Sequence, residues 1–354
     1  MDEVDILRGL VEEYSPSGQE AGAVRRFVEL ARTLGFTAEA DGAGNGIARI
    51  GVGPPTVLFL GHIDTVEGEL PVRLLDGRLW GRGTCDAKGA LAAAMVGASR
   101  HDGPGEIVVI AAVGEEHDSR GTRSLLSRHR PNFLIVGEPS GWDGVTIGYK
   151  GTLSLVLRLK GERTHLSSPD ATTVEKGLSA VERLRAFCGT RRGRTLFSSL
   201  TMKIHSVHTN RSGSREQIEI GVNFRLPPGL RADDVLDFVD GLTDVQYEVI
   251  DRSDAVEVNP RNEAVRVLCA GIRNQDHRPT LLRKFGTSDL NLAEPAWQCP
   301  AAAYGPGDSH LDHTDNEHLE IADFRRSIGV LEFAFTRLTS RKTAGIALAA
   351  IDAP

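Results

Sequence analysis

The sequence predicts an α/β protein with an open, mostly parallel sheet, interrupted by a smaller inserted α+β domain of βαββαβ order. Three observations carry this reading. Over the first 147 residues, apolar strand-like runs alternate with helical patterns. After Gly148 the strands alternate apolar and polar residues, the pattern of a sheet with one solvated face. The first style then resumes near residue 258. At 354 residues the chain is too long for one ordinary core. The expected division is 1–147 with 258–354 as one domain, and 148–257 as the insertion.

Asp5 to Leu34 reads as a helix broken near Ser15-Pro16-Ser17-Gly18, with its second segment capped there. Thr56–Asp64 is an apolar run ending in polar residues, hence a buried strand. Lys88–Ser99 is a helix of small residues. Glu106–Asp118 and Asn132–Ser140 are two more apolar strands that end in charge. Ligand sites in open α/β sheets lie at such carboxyl ends. The insertion follows with strand 152–161, helix 173–187, strands 199–210 and 217–228, helix 231–242 and strand 245–253. A helix over 262–275 and a strand over 280–286 return to the first domain, and 339–354 reads as a mobile tail.

Composition removes several function classes. Hydrophobic residues make up 40% and charged residues 25%, which suits a folded chain. No run reaches the roughly eighteen apolar residues of a membrane span. The acidic, amphipathic start lacks the features of a secretory signal, so a cytoplasmic location is expected. Cys85, Cys188, Cys269 and Cys299 have no CxxC spacing, which argues against a disulfide framework or a cysteine-based metal knuckle. The net charge of −7 disfavours nucleic acid as a partner. Residues 150–215 nevertheless hold 13 Lys/Arg against 4 Asp/Glu, a local basic surface.

Five segments gather acids and histidines beside glycines: GHIDTV (61–66), GRGTCDAKG (81–89), GEEHD (114–118), GEPS (137–140) and YGPGDSHLDHTDNEH (304–318). His62 and Asp64 share a face of an extended segment, where an acid can fix an imidazole tautomer. Glu115 and Glu116 point different ways, so one can bind metal while the other serves as a base. Asp86 follows a Gly-rich turn, and Glu138 with one of His310 or His313 completes a set of imidazole and carboxylate donors. Carboxylates gathered at buried strand ends repel one another unless cations are bound. This donor set suits a catalytic zinc, or a pair bridged by a carboxylate.

In order and wording these segments resemble the M20 family of metallopeptidases and amidohydrolases, over nearly the whole chain. The family includes acetylornithine deacetylase, succinyl-diaminopimelate desuccinylase and carboxypeptidase G. The resemblance implies a zinc-hydrolase catalytic domain with an inserted lid and dimerisation domain. It implies two Zn2+ ions, with Co2+ able to substitute. His62, Asp86 and Glu138 hold one ion on this reading; Asp86, Glu116 and His313 hold the other. His313 is preferred to His310 because an acid follows it in HTDNE. Glu115 becomes the general base, and Asp64 holds His62. His165, in ERTHLSSP, becomes the donor to the developing oxyanion, supplied in dimeric relatives by the partner subunit. Cys85 stands where alanine or serine is commoner.

The stretch LRKFGTSDLNLA (282–293), with the 304–318 segment, resembles the branch that releases lysine or ornithine from a LysW-type amino-group carrier protein. The implied reaction is hydrolysis of an isopeptide bond in lysine or arginine biosynthesis, with an acidic carrier protein as partner. Lys284 and the loop Gly286, Thr287, Ser288 and Asp289 would line the substrate pocket. Arg225 would grip a substrate carboxylate, with Asn210 assisting. Deacetylation of acetyllysine or acetylornithine is the alternative within the class, and an inactive metal-binding scaffold the alternative outside it. A homodimer through the inserted domain is expected.

Overall fold

The computed structural model describes residues 2–340, so the expected tail lies, from Arg341 onward, outside the described residues. Contacts divide the chain into two units. One comprises the chain up to Ile147, Val258–Leu282 and the chain from Leu292; the other comprises Gly148–Glu257 and Arg283–Asn291.

The first unit is built on a mixed sheet. Its strands run in the order Thr37–Ala40, Gly46–Val52, Gly105–Ala112, Thr56–His62, Phe133–Gly137, Ala301–Ala303 and Gly144–Tyr149. Thr56–His62 pairs in parallel with both its neighbours, and Ala301–Ala303 is parallel to Phe133–Gly137. Both flanks are antiparallel. The sequence reading is therefore right for the centre of the sheet and omits its antiparallel edge strands. A parallel core with antiparallel edge strands is a common form of α/β sheet.

Residues Val57 to Leu60 and Ile107 to Ala111 are fully buried, which explains their unbroken apolar runs. Burying each of the larger side chains contributes about 1.5–3 kcal/mol. The register brings the strand ends level. His62 lies opposite Ala112, and Gly61 opposite Gly137. Residues that follow these positions therefore emerge along one edge of the sheet.

Helix Ile321–Thr339, to which the sequence reading assigns nothing, packs against Lys88–Ser99 and Glu263–Arg273. Glycine permits both close approaches: a Cβ at Gly97 would meet the Glu332 nitrogen at 3.1 Å, and one at Gly271 the Val330 oxygen at 3.1 Å. A small antiparallel sheet in this unit orders His318–Glu320, Arg78–Trp80 and Arg73–Leu75.

The second unit has a four-stranded antiparallel sheet in the order Thr201–Ser212, Arg215–Leu226, Gly151–Glu162 and Gln246–Ser253. With helices Thr173–Gly189 and Ala232–Asp240 it follows βαββαβ order. Leu153, Leu155, Leu157 and Leu159 point into one core with Ile218, Ile220, Val222, Leu184 and Val235. The longer helix begins at a capping box between Thr172 and Glu175. The segment Arg283–Asn291 belongs to this unit, and Asn291 Nδ2 donates to the Lys150 and Asp254 carbonyls. Among the described residues no helix is long and apolar enough to cross a membrane.

Candidate metal centre

His62, at the end of its strand, is buried, and its Nδ1 lies 2.9 Å from the Asp64 carbonyl oxygen. Its Nε2 lies 2.9 Å from Asp86 Oδ1. A carbonyl only accepts, so Nδ1 donates, and a neutral ring then turns its Nε2 lone pair toward a carboxylate oxygen. Two acceptors at that distance require a proton or another cation between them. The other Asp86 oxygen, Oδ2, lies 3.3 Å from His313 Nε2, which is also 2.9 Å from Glu116 Oε1. Asp86 thus presents one oxygen to each imidazole.

Asp86 reaches this position from the tight turn Gly81–Ala87, which leads into helix Lys88–Ser99. The Lys88 nitrogen donates to the Gly83 carbonyl at 2.9 Å, and a Cβ at Gly89 would lie 2.3 Å from the Thr84 oxygen. Glu115 and Glu116 follow Gly114, whose φ of +76° turns the chain as it leaves strand Gly105–Ala112. Glu138 follows strand Phe133–Gly137 and is buried. His313 comes from the 304–318 loop in a left-handed conformation, φ +60°. His310 is exposed and pairs with Asp308 at 2.8 Å.

Among the described residues, three overlapping sets each bring their donor atoms within 4.8 Å of one another: His62, Asp86 and Glu138; Asp86, Glu116 and His313; His62, Glu115 and Glu116. Four carboxylates thus share the space with two imidazoles. Burial opposes a charge on His62, yet the Asp86 hydrogen bond and charge hold its pKa well above the ordinary value. Asp86 and then Glu116 hold His313 up to about 10. Asp86 itself is held well down: burial would raise it, but hydrogen bonds from His313 and His62 prevail. Without another cation, protons on the imidazoles must balance the acids. Divalent cations meet the same demand with the donors that zinc prefers, so the residues fit a metal pair.

The Asp64 carboxylate does something the sequence did not suggest. It lies 3.7 Å from His62 Nδ1, so it is the Asp64 main-chain carbonyl that fixes the ring. The carboxylate instead accepts the Glu115 and Glu116 amides, each at 3.1 Å, and the Ser17 hydroxyl at 2.7 Å. The sequence reading places the cap of the second helical segment near Ser15–Gly18. That helix, Ala21–Thr33, starts three residues after Gly18 with no side-chain cap, because the Ser15–Ser17 segment is bonded to Ile63–Thr65. Lys88 is also fully buried, its Nζ 2.6 Å from the Glu13 carbonyl, and burial lowers its pKa to about 7.

The remaining expected residues lie in the second unit. His165 is exposed, with Nδ1 2.7 Å from the Ser167 hydroxyl. Arg225 is half-buried opposite Thr201 and Thr152. Asn210 pairs with Gln217, eight residues along the same strand from Arg225. At about 3.4 Å per residue they stand roughly 27 Å apart, so the two do not converge within one chain. Ser288 is buried; its Oγ accepts the Leu290 amide and its own amide donates to Asn291 Oδ1, just before helix Leu290–Trp297. Lys284 supplies a carbonyl to the Lys150 amide at 3.1 Å. Thr287 is half-exposed, and a Cβ at Gly286 would meet open space.

The model of peptidase family M20/M25/M40 matches residues 58–337. A Thermococcus kodakarensis protein, provisionally named LysW-lysine/LysW-ornithine hydrolase, is 37% identical over 96% of this chain and 93% of its own. The LysW-lysine hydrolase of Deinococcus radiodurans is 33% identical over 94% of this chain and 96% of its own. Among solved structures, a Staphylococcus aureus tripeptidase shares the fold with a TM-score of 0.79 at 18% identity, covering 96% of this chain and all of that one. With matches of this extent the chain belongs to peptidase family M20/M25/M40.

Proposed function

We propose that this protein is a metal-dependent hydrolase that cleaves an isopeptide bond and releases lysine or ornithine from an amino-group carrier protein. The observation that carries this reading is near full-length identity to relatives named for that reaction, at 37% and 33%. The converging imidazoles and carboxylates supply a site suited to it.

We assign His62, Asp86 and Glu138 to one Zn2+, and Asp86, Glu116 and His313 to a second, with Asp86 between them. Co2+ suits the same donors. Bound ions supply the positive charge that polarises an acyl oxygen and acidifies water. Glu115 accepts the proton of the attacking water and later delivers it to the leaving amine. Asp64 keeps Glu115 and Glu116 apart in their roles by holding both main-chain amides. In the inserted unit, His165 is assigned donation to the oxyanion, and Arg225 the grip on a substrate carboxylate. Lys284 with Gly286, Thr287 and Ser288 is assigned to the substrate pocket. A cytoplasmic homodimer is the proposed state, with the acidic carrier as the macromolecular substrate.

The test is metal dependence of lysine release from a carrier-linked substrate. Chelation should abolish release, and zinc should restore it. Release that survives complete metal removal would contradict the reading.

A further inference from the structure

We infer that Glu317, anchored by Arg82, is a positioning residue that holds the Asp86 turn and the His313 loop in register with each other. The inference rests on the metal reading above.

The pairing begins with the small antiparallel sheet, in which Trp80 lies opposite His318. In an antiparallel ladder, residues just after Trp80 then face residues just before His318. The Gly81 amide accordingly donates to the Glu317 carbonyl at 3.3 Å. The side chains continue the contact. Glu317 Oε1 accepts the Cys85 amide at 3.0 Å and the Asp86 amide at 3.3 Å. Its Oε2 accepts Arg82 Nη1 at 2.8 Å, and Nη1 also donates to the Thr314 carbonyl at 3.0 Å. Arg82 Nε donates to the Gly68 carbonyl at 3.0 Å. Both side chains are buried, Glu317 at 1% and Arg82 at 5% exposure.

One buried carboxylate therefore grips the main chain of Asp86 with one oxygen. With the other it holds a guanidinium that grips the residue beside His313. Neither partner is itself a candidate ligand. A buried ion pair is seldom worth more to stability than apolar residues of the same volume. What apolar residues cannot reproduce is the row of bonds to the Asp86 and Thr314 main chains. Asp86 has to present one oxygen toward His62 and the other toward His313, 2.9 and 3.3 Å away. The His313 loop turns through a left-handed residue, φ +60°, a conformation disfavoured for a residue with a Cβ, and Arg82 holds the next residue, Thr314, by its carbonyl. Outer partners of this kind typically change metal affinity or activity by about 10–100-fold.

The test compares Glu317→Gln with the double variant Arg82→Met/Glu317→Met, each checked for the wild-type far-UV spectrum. Zinc affinity is measured by competition with a chromophoric chelator, and site geometry by the visible absorption of the cobalt-loaded protein. The double variant removes both charges, so a purely structural ion pair predicts normal metal binding. The positioning role predicts zinc binding weakened by about 10–100-fold, with an altered cobalt spectrum. Glu317→Gln keeps an acceptor for the two amides and should fall between wild type and the double variant. A folded double variant with wild-type affinity and spectrum overturns the inference. Should the double variant not fold, Glu317→Gln decides, and an unchanged affinity and spectrum there overturns it. Asp86→Ala is the control: if it retains both ions, the metal reading has failed rather than the positioning role.

Discussion

The Asp64 carboxylate accepts the main-chain amide of Glu116 at 3.1 Å, and with its other oxygen the amide of Glu115 at the same distance. One buried acid thus sets the backbone of a residue assigned to metal and of a residue assigned to proton transfer. Asp64→Asn retains one acceptor oxygen and loses the other. It should lower kcat and weaken metal binding by about 10–100-fold, as measured by turnover and by chelator competition. Wild-type values for both would mean that the loop holds its shape without Asp64.

Glu115 and Glu116 should separate cleanly. Glu115→Gln is expected to keep its metals and lose about 10²–10⁴-fold in turnover, since the base is gone. Glu116→Gln is expected to lose affinity at the site shared with Asp86 and His313. Metal content by atomic spectroscopy, read beside kcat, distinguishes the two. Exchanged phenotypes would reverse the assignment.

Lys150, in the inserted unit, offers a pH test on a residue that is not itself a metal donor. Burial, helped by the Arg225 charge, lowers its pKa from 10.5 to about 8, while its Nζ donates to the Ser199 and Leu196 carbonyls. Below about pH 8 the lysine is charged in both states, and the fold bears the full penalty. Between about 8 and 10.5 the unfolded chain binds more protons than the folded one, so this group's contribution to stability rises with pH. Lys150→Met should remove that rising contribution. Urea unfolding across this interval, wild type against variant, reads the difference, and parallel profiles would refute it.

The basic excess of the inserted unit is partly spent internally. Arg158 pairs with Glu219 and Glu248, Arg211 with Glu216, and Arg191 lies over the Phe187 ring. Arg192 and Arg194 are exposed. An acidic carrier would feel such charges, and salt would screen them over about 8 Å. Reversing Arg192 and Arg194 to Glu should lower kcat/KM on the carrier-linked substrate and leave a small acyl-lysine unaffected. Rising salt should produce the same selectivity. Equal losses on both substrates would point to damage at the site.

Much of the site was legible because each donor follows an apolar strand or a glycine turn, as His62, Asp86, Glu116 and Glu138 do. Strand ends are visible in a sequence when both faces of the sheet are covered, since the runs are then continuous. His313 was separable from His310 only through the family resemblance; the spacing alone left both open. Glu317 stayed hidden because its contacts depend on the pairing of Arg78–Trp80 with His318–Glu320, strands of three residues that are too short to leave a periodic pattern. The Asp64 role was misread because proximity to His62 in sequence suggested a side-chain contact, where the main-chain carbonyl makes it. Asn210 and Arg225 were grouped by their chemistry, and strand register puts them at opposite ends of one hairpin.

The central claim is tested most directly by one comparison of kcat/KM for the zinc-loaded enzyme. The substrates are carrier-linked lysine, carrier-linked ornithine, acetyllysine and acetylornithine, assayed side by side for free amino acid. The account predicts that at least one carrier-linked substrate is preferred over both acetyl compounds by about 100-fold or more, a difference of roughly 2.7 kcal/mol in transition-state stabilisation. Efficient hydrolysis of an acetyl compound with no release from either carrier-linked substrate would contradict it.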